Sequence, residues 1–404
     1  MISSTEKSDW RKMTLGEVAV LNYGKSLQSE KRTVGNVPVY GSGGITGYHN
    51  EPLVNERGLI IGRKGTVGAI YKSEVPFYPI DTVFYITQKD TNADLNFLYY
   101  LLLDLGLDEM NSDSAVPGLN RDNAYTRTVW MPDLPEQRAI VAVLSSLDGK
   151  IELLRNQNKT LEAIAQQLFH EWFVEFNFPN ANGEPYKKSG GKMVDGELGE
   201  MPAGWIADQL DSIVSLKGGT TPSTKNPEYW NGDIAWTSPK DLSDNREVFL
   251  RKTASKISEL GLAQVSSGLL PVGTVLLSSR APIGYLAISS IPVAINQGYI
   301  ALLPQESYSN YFMYLWIKEN LEKIIAAANG STFLEISKAS FKRIAFIRPT
   351  EETVDKFAKI ITPIFEKISA NESHQTTLRD TREMLLPRMM SGDVRVKIFD
   401  RASP

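Results

Sequence analysis

The chain has no cysteine and only three histidines among its 404 residues. Without thiols there is no disulfide framework, no thiolate metal site and no cysteine nucleophile, and the cytoplasm is the expected compartment. His49, His170 and His374 are too far apart in sequence for their spacing to suggest a metal cluster. No apolar run approaches the roughly 20 residues needed to cross a bilayer, and the longest, such as Leu95 to Leu103, fall far short. Met1 to Lys12 is polar and lacks the apolar segment of a secretory signal, so a soluble, unprocessed chain with no membrane partner is expected. An excess of positive charge is missing too: 43 Lys and Arg stand against 47 Asp and Glu, a net charge of −4, which lends nucleic-acid binding no support of its own. What is present is a globular composition, 42% hydrophobic and 22% charged, long enough for two or three domains.

The chain repeats itself. Ser114 to Arg121 aligns with Ser331 to Lys338 at a shift of 217 residues, and the same shift carries Met131-Pro132 onto Arg348-Pro349 and Lys150-Ile151 onto Lys367-Ile368. Upstream, Leu59 to Tyr71 resembles Val275 to Leu286, and Trp10 with Leu15-Gly16-Glu17-Val18 matches Trp205 with Leu210-Asp211-Ser212-Ile213 at a shift of 195. The second copy therefore gains about twenty residues, expected within Thr221 to Asp244. Two units this large make a tandem duplication and not a solenoid, because each can own a core.

Each copy begins with short β-like runs (Gly58 to Ile61, Thr82 to Ile86, Thr274 to Leu277, Tyr299 to Leu303) and one helical stretch (Asn96 to Leu105, Asn310 to Ala328). That pattern predicts a compact α+β domain. Each copy ends in a long helix. Ile140, Leu144, Leu147, Ile151, Leu154, Asn158, Leu161, Ala165, Leu168 and Trp172 advance by alternating steps of four and three, the 3.5-residue period of a coiled-coil seam. The second seam, from Phe357 to Met389, repeats every position at a shift of 217, with Asn371, Gln375 and Arg382 as polar members. The two helices are expected to pack on each other; the alternative is that each packs on its own domain. Pro363 should kink or restart the second helix. An antiparallel pairing of helices about 60 Å long would put the two globular domains at opposite ends of a rod. The expected boundaries are a first domain at 1–134, a central helix at 135–176, a linker rich in Gly, Pro and charge at 177–204, a second domain at 205–350, a C-terminal helix at 351–392 and a tail at 393–404.

Several stretches together resemble one family. These are Leu134-Pro135-Glu136-Gln137-Arg138-Ala139-Ile140, Leu168 to Phe176, Tyr186 to Gly191, Leu198 to Trp205 and Leu385 to Gly392, with Tyr40 to Tyr48 and Trp236 to Leu242 in the globular parts. They are similar to the specificity subunit of bacterial type I restriction-modification systems, and the similarity spans essentially the whole chain, duplication included. The resemblance implies two target recognition domains, each reading one half of a bipartite double-stranded DNA site, on helices that form an antiparallel coiled coil. It further implies that the coiled coil docks two methyltransferase subunits, which carry S-adenosylmethionine, and that motor-nuclease subunits join for restriction. This chain itself would hold no cofactor and no metal.

No motif supplies catalysis. Gly62-Arg63-Lys64-Gly65-Thr66-Val67-Gly68 lacks the spacing of a phosphate loop, and there is no methyltransferase Asn/Asp-Pro-Pro-Tyr/Phe element and no GxSxG elbow. For DNA, cations meet phosphates and polar side chains read base edges. The candidates in the first domain are Ser42, Tyr48, His49, Arg63, Lys64, Thr66 and Arg121. Those in the second are Lys217, Thr220, Ser238, Lys240, Ser279, Arg280, Asn296, Gln297 and Lys338. Ordinary solvated turns and helix termini are the competing reading of each loop, and Trp236 reads as core. Beside the seam, the mixed charges Glu152, Arg155, Lys159 and Glu162 suggest a protein-docking face; Phe169, Phe173 and Phe176 suggest where partners attach, unless they fold back onto a domain. A peptide- or glycan-binding scaffold and a nucleotide-dependent enzyme are the competing function classes.

Overall fold

The period of 3.5 along Ile140 to Trp172 becomes one uninterrupted helix, Leu134–Phe173, and its repeat becomes Glu351–Met390, in a computed structural model of the chain. The structure describes residues 9–110, 118–243, 247–305, 308–330 and 334–396; two pieces of the most similar repeated stretch, 114–117 and 331–333, lie outside them. Contacts divide the chain into one unit of residues 1–151 with 376–404 and another of 152–375. Each unit thus contains one globular copy and a part of both helices.

In the first unit a four-stranded antiparallel sheet orders Asn22–Tyr23, Val83–Thr87, Gly58–Gly62 and Ile70–Ser73. A three-stranded sheet places Val37–Gly41 between Gly44–His49 and Tyr78–Pro79, the last pairing parallel. Helix Leu95–Asp104, capped by the Asp94 carboxylate, packs its buried Phe97, Leu98 and Leu101 into a core with Leu59, Ile61, Phe84, Ile140, Leu144 and Met389. The first turns of the central helix and the last turns of the C-terminal helix are therefore neighbours here, so the pairing is antiparallel. Asp148 and Arg382 continue the same register with an ion pair at 2.9 Å, and Tyr100 donates a hydrogen bond to the second carboxylate oxygen at 2.7 Å. Burial, then Asp148, hold the Tyr100 hydroxyl far above its ordinary pKa. The one cation on the seam is thus answered by an acid on the facing helix.

The second unit repeats the plan. Its main sheet orders Leu216–Lys217, Tyr299–Leu302, Val275–Ser279, Ile283–Ser289 and Phe249–Leu250, and a smaller one places Trp230–Thr237 between Ser255–Ile257 and Ala294–Ile295. Where Ser42-Gly43 alone joins the paired strands of the first copy, 238–254 joins them in the second and adds the parallel edge strand Phe249–Leu250. The added length therefore begins at 238, after strand Trp230–Thr237 and inside the expected stretch Thr221 to Asp244, and runs beyond that stretch to 254. The helix expected over 310–328 divides at Asn320 into Asn310–Glu319 and Leu321–Ala326.

Antiparallel helix packing recurs in this unit: Trp172 and Phe173 meet Phe357 at ring distances of 5.4 and 4.9 Å, while Asn158 meets Asn371 farther along. Asn371 Nδ2 donates to Asn158 Oδ1 at 2.8 Å and to Gln157 Oε1 at 3.2 Å, and Asn158 Nδ2 donates to the Ile368 carbonyl at 3.2 Å. Polar groups that satisfy one another inside a seam fix its register. The helix passes through Pro363 without restarting, although a mid-helix proline costs about 3 kcal/mol. The fully buried Ile361, Phe365 and Ile368 bracket it and hold both sides on one core.

Phe169, Phe173 and Phe176 fold back onto the domain core. Phe169 and Phe176 are buried, Phe173 packs against the same core, and Phe169 and Phe173 meet Phe312 at ring distances of 5.3 and 5.1 Å. Helix Asn310–Glu319 is apolar enough to draw the aromatic run inward, which gives more than solvent exposure could. Glu162, likewise, turns to Tyr314 and Lys318 of that helix, whereas Glu152 and Arg155 form an exposed pair. The segment 177–204 is built structure as well as a connection: it contains the hairpin Met193–Gly196 with Gly199–Pro202, and Phe178 stacks between Tyr186 and Trp205 at 4.6 and 5.0 Å.

Candidate nucleic-acid interface

In both copies the strand that leads into the basic loop, Gly58–Gly62 or Val275–Ser279, pairs with its neighbour in the same register. Leu59 pairs with Ile86 as Val275 pairs with Leu302, so Arg63 and Lys64 correspond to Ser279 and Arg280. The backbone follows: Gly65 and its counterpart Ala281 have φ of 82° and 52°, and Gly68 and Gly284 have 73° and 116°. Leu119 N–H donates to the Arg63 carbonyl at 2.8 Å, and Ile336 N–H to that of Ser279 at 3.0 Å. Two distant segments are thereby brought together in each copy: the basic loop and the turn carrying Arg121 or Lys338.

In the first copy this junction forms a cleft of about 260 Å³ lined by Tyr23, Arg63, Lys64, Asn120, Arg121 and Asp122, among others. The Tyr23 ring lies between two guanidiniums, Arg63 at 4.9 Å and Arg121 at 5.0 Å from its centroid. Arg63 also donates to the Asp81 carbonyl at 3.1 Å, and Arg121 approaches Tyr125 at 5.8 Å. Lys64 and Thr66 are exposed. Ser42 joins them from the neighbouring hairpin, its Oγ 3.2 Å from where a Cβ on Gly65 would stand.

The remaining first-copy candidates sit apart from this cluster. Tyr48 is 55% exposed on strand Gly44–His49. His49 accepts the Thr33 N–H at 3.1 Å and meets Tyr78 edge-on at 5.9 Å, which ties the loop before Val37 to the strand.

In the second copy Lys338 reaches over Gly218, its Nζ 3.2 Å from where a Cβ there would stand, next to exposed Lys217. Arg280 lies 3.6 Å from the Glu335 carboxylate, both side chains being 40% or more exposed. Several polar candidates are committed internally. Thr220 donates to the Gln264 carbonyl at 2.7 Å and accepts the Ser266 N–H at 3.0 Å. Ser238 N–H donates to Asp241 at 2.9 Å as the short helix Pro239–Ser243 begins, with Lys240 exposed on it. Asn296 accepts the Gly298 N–H at 2.8 Å, and exposed Gln297 accepts from Thr221 at 2.8 Å. Ser279 is 3% exposed and faces the interior. Trp236 is core, edge-on to Trp230 at 5.2 Å.

Sequence reasoning missed Tyr23. The signal was available: the shift of 195 that aligns Leu15 with Leu210 lays Asn22-Tyr23-Gly24 on Lys217-Gly218-Gly219. Gly24 and Gly219 have the same constraint, for a Cβ would stand 2.1 Å from the Ile80 carbonyl oxygen in one and 1.7 Å from that of Ile295 in the other. Tyr23 and Gly218 are therefore the same position, beneath Arg121 and Lys338 respectively.

The chemistry these clusters offer is cationic and polar contact, without a nucleophile held by a base. Among the described residues no group of three or more His, Asp or Glu could hold a metal, and no helix is long and apolar enough to cross a membrane.

A family model described as the type I restriction modification DNA specificity domain matches residues 7–163 and again 202–378. The HindI type I restriction enzyme specificity subunit of Haemophilus influenzae is 26% identical over 376 residues, covering 78% of this chain and 81% of that protein. The MjaIX specificity subunit of Methanocaldococcus jannaschii is 33% identical over 184 residues, 45% of this chain and 42% of its own length. Among solved structures, the S subunit of a type I restriction-modification system from M. genitalium superposes with a TM-score of 0.59 at 15% identity, covering 96% of this chain and 98% of that one, which supports the fold. The two matched segments coincide with the two copies that each build a basic junction, and the chain belongs to the type I restriction modification DNA specificity family, whose domain it carries twice.

Proposed function

We propose that each globular copy reads one half of a bipartite double-stranded DNA sequence, and that the long helices set the separation of the halves and dock two methyltransferase subunits. In this reading the chain is a non-catalytic cytoplasmic subunit. S-adenosylmethionine resides in the methyltransferase partners, and motor-nuclease subunits join the assembly for restriction. The observation that carries the reading is the duplication of one junction: Lys64 with Arg121, and Arg280 with Lys338, occupy equivalent positions in two copies that each match a DNA specificity domain. A chain of net charge −4 needs only such local cationic patches when partners supply further phosphate contacts.

The test is an exchange of residues 10–130 for those of a relative, followed by mapping of the methylated sequence with the methyltransferase present. One half of the sequence changes and the other does not. A change in both halves, or in neither, overturns the assignment of one copy to one half-site.

A further inference from the structure

Three features of the cleft around Tyr23 go beyond the general presence of surface cations. Its donors are answered only in part, by the Asp81 carbonyl that accepts from Arg63. Among the described residues Lys64 makes no ion pair, the Arg121 Nε is buried without a hydrogen-bond partner, and Asp122 is the acid among the lining residues. The two guanidiniums are held against the faces of an aromatic ring, which fixes their position without neutralising their charge. The cleft also offers a narrow chemistry. Arg63, Lys64 and Arg121 present donors that meet phosphate oxygens or a guanine edge, and nothing in the trio selects another base.

We infer that this cleft is a phosphodiester anchor for the DNA backbone in the first copy, and that Glu335 mutes the equivalent site of the second. The inference rests on the proposed DNA-reading function. In the second copy the ring is absent at Gly218, Arg63 is replaced by buried Ser279, and Arg280 faces Glu335 at 3.6 Å, which leaves Lys338 beside exposed Lys217. The first copy then carries the larger share of the salt-dependent affinity, although both copies carry sequence information.

The experiment uses the full chain assembled with its methyltransferase subunits, and a labelled duplex containing the methylated sequence, titrated across a range of salt concentrations. One phosphate contact contributes a slope of about 0.9 in log affinity against log salt. R121Q lowers the slope by about that amount, which is about eightfold in affinity at 0.1 M salt relative to 1 M, and the methylated sequence stays the same. K64Q, at an exposed position, gives the same direction of change and keeps the test decisive if R121Q does not fold. E335Q steepens the slope and tightens binding. Inorganic phosphate at millimolar concentration competes no better than its ionic strength predicts; specific competition would make the cleft a site for free phosphate. An unchanged slope in both R121Q and K64Q removes the anchor, and an altered first half-sequence makes the cleft a base reader. An unchanged E335Q removes the muting. Wild-type assembly that shows no sequence-dependent binding overturns the underlying function instead.

Discussion

The two copies solve the same structural problems with different chemistry. Each opens on a tryptophan that must be buried, Trp10 at 6% exposure and Trp205 at 4%. Trp10 donates from Nε1 to the buried Glu136 at 3.0 Å, and Arg395 both grips that carboxylate, at 2.5 and 2.8 Å, and lies 5.6 Å above the indole. Trp205 is covered by rings instead, with Phe178 stacked at 5.0 Å and Phe176 edge-on at 5.6 Å. The position equivalent to Glu136 is Thr353, which bonds to Thr350. A duplicated backbone therefore preserves what close approach demands, as at Gly24 and Gly219, and leaves the means of burial free to diverge into an ionic version and an aromatic one.

The largest expected effect tests that contrast on one seam position. Ile140 and Phe357 are equivalent and both fully buried, but Phe357 touches Phe169, Trp172, Phe173 and Phe312. Phe357→Ala is expected to cost about 3–5 kcal/mol and Ile140→Ala about 2–5 kcal/mol, with the aromatic site at the upper end because ring pairs are lost as well as volume. Denaturant unfolding measures both. A larger loss at Ile140 would mean that the aromatic cluster repacks around its cavity and is not the more tightly specified core.

Arg395→Ala comes next. It leaves Glu136 buried with only the Trp10 donor, at a cost of about 2 kcal/mol once the partial exposure of Arg395 is allowed for. Hydrogen exchange in strand Arg11–Thr14 should quicken, and salt should quicken it further in the wild type. The strand at Ile206–Gln209, anchored beside stacked rings, should respond less, because its own ion pair, Asp208 with Arg348 at 2.8 Å, is partly exposed. Equal salt sensitivity in the two strands would erase the distinction between ionic and aromatic anchors.

The edge strand that the second copy alone possesses gives a pH test. Glu372 on the C-terminal helix accepts the Val248 N–H at 2.7 Å and the Phe249 N–H at 3.2 Å, and burial raises its pKa from 4.5 to about 8 despite these bonds. The folded state then holds a proton that the unfolded state releases, so this group's contribution is full below pH 4.5 and is lost as pH rises through about 8. Glu372→Gln keeps one acceptor and turns an N–H₂ toward the other backbone N–H, which costs about 1–3 kcal/mol. The thermal midpoint of the variant should fall at low pH and lose the decline between pH 4.5 and 8. A variant that keeps the wild-type pH profile would assign the decline to another group.

Which of these features could be read from residue order follows from the range of the forces involved. Seam positions from Ile140 to Met389 are all buried or half-buried, because helix periodicity is local and a seam needs only one face to be apolar. The run at Phe169 to Phe176 could not be assigned from its own pattern, since an apolar stripe reads the same whether it meets a partner or the helix Asn310–Glu319. Ser279 looked like a loop residue because its neighbours are polar, yet it ends a strand buried at every position. Thr220, Ser238 and Asn296 are of the types that read bases, and of the types that cap and close turns; only their fixed partners, Ser266, Asp241 and Gly298, distinguish the two. Arg63, Lys64 and Arg121 could be picked out singly by charge, but their convergence on Tyr23 depends on the pairing of Leu119 with the Arg63 carbonyl, across more than fifty residues of chain.

The smallest expected effect separates the ring from the charges around it. Tyr23→Gly recreates in the first copy what Gly218 is in the second, and the backbone accepts it because the adjacent Gly24 already sets the close approach to Ile80. The ring carries no charge, so its loss frees Arg63 and Arg121 to move without reducing the number of phosphates they neutralise. Affinity for the methylated duplex should fall by about two- to fivefold, the equivalent of 0.5–1 kcal/mol of exposed cation–ring interaction, while the salt slope stays at the wild-type value. Gly218→Tyr is the reverse graft: its Cβ meets only the flexible end of Lys338, which can lift onto the new ring. That variant should gain little while Glu335 still holds Arg280, and more when combined with Glu335→Gln. If Tyr23→Gly flattens the salt slope as Arg121→Gln does, the ring is needed to keep the guanidiniums at the phosphate at all, and the difference between the copies lies in positioning rather than in charge.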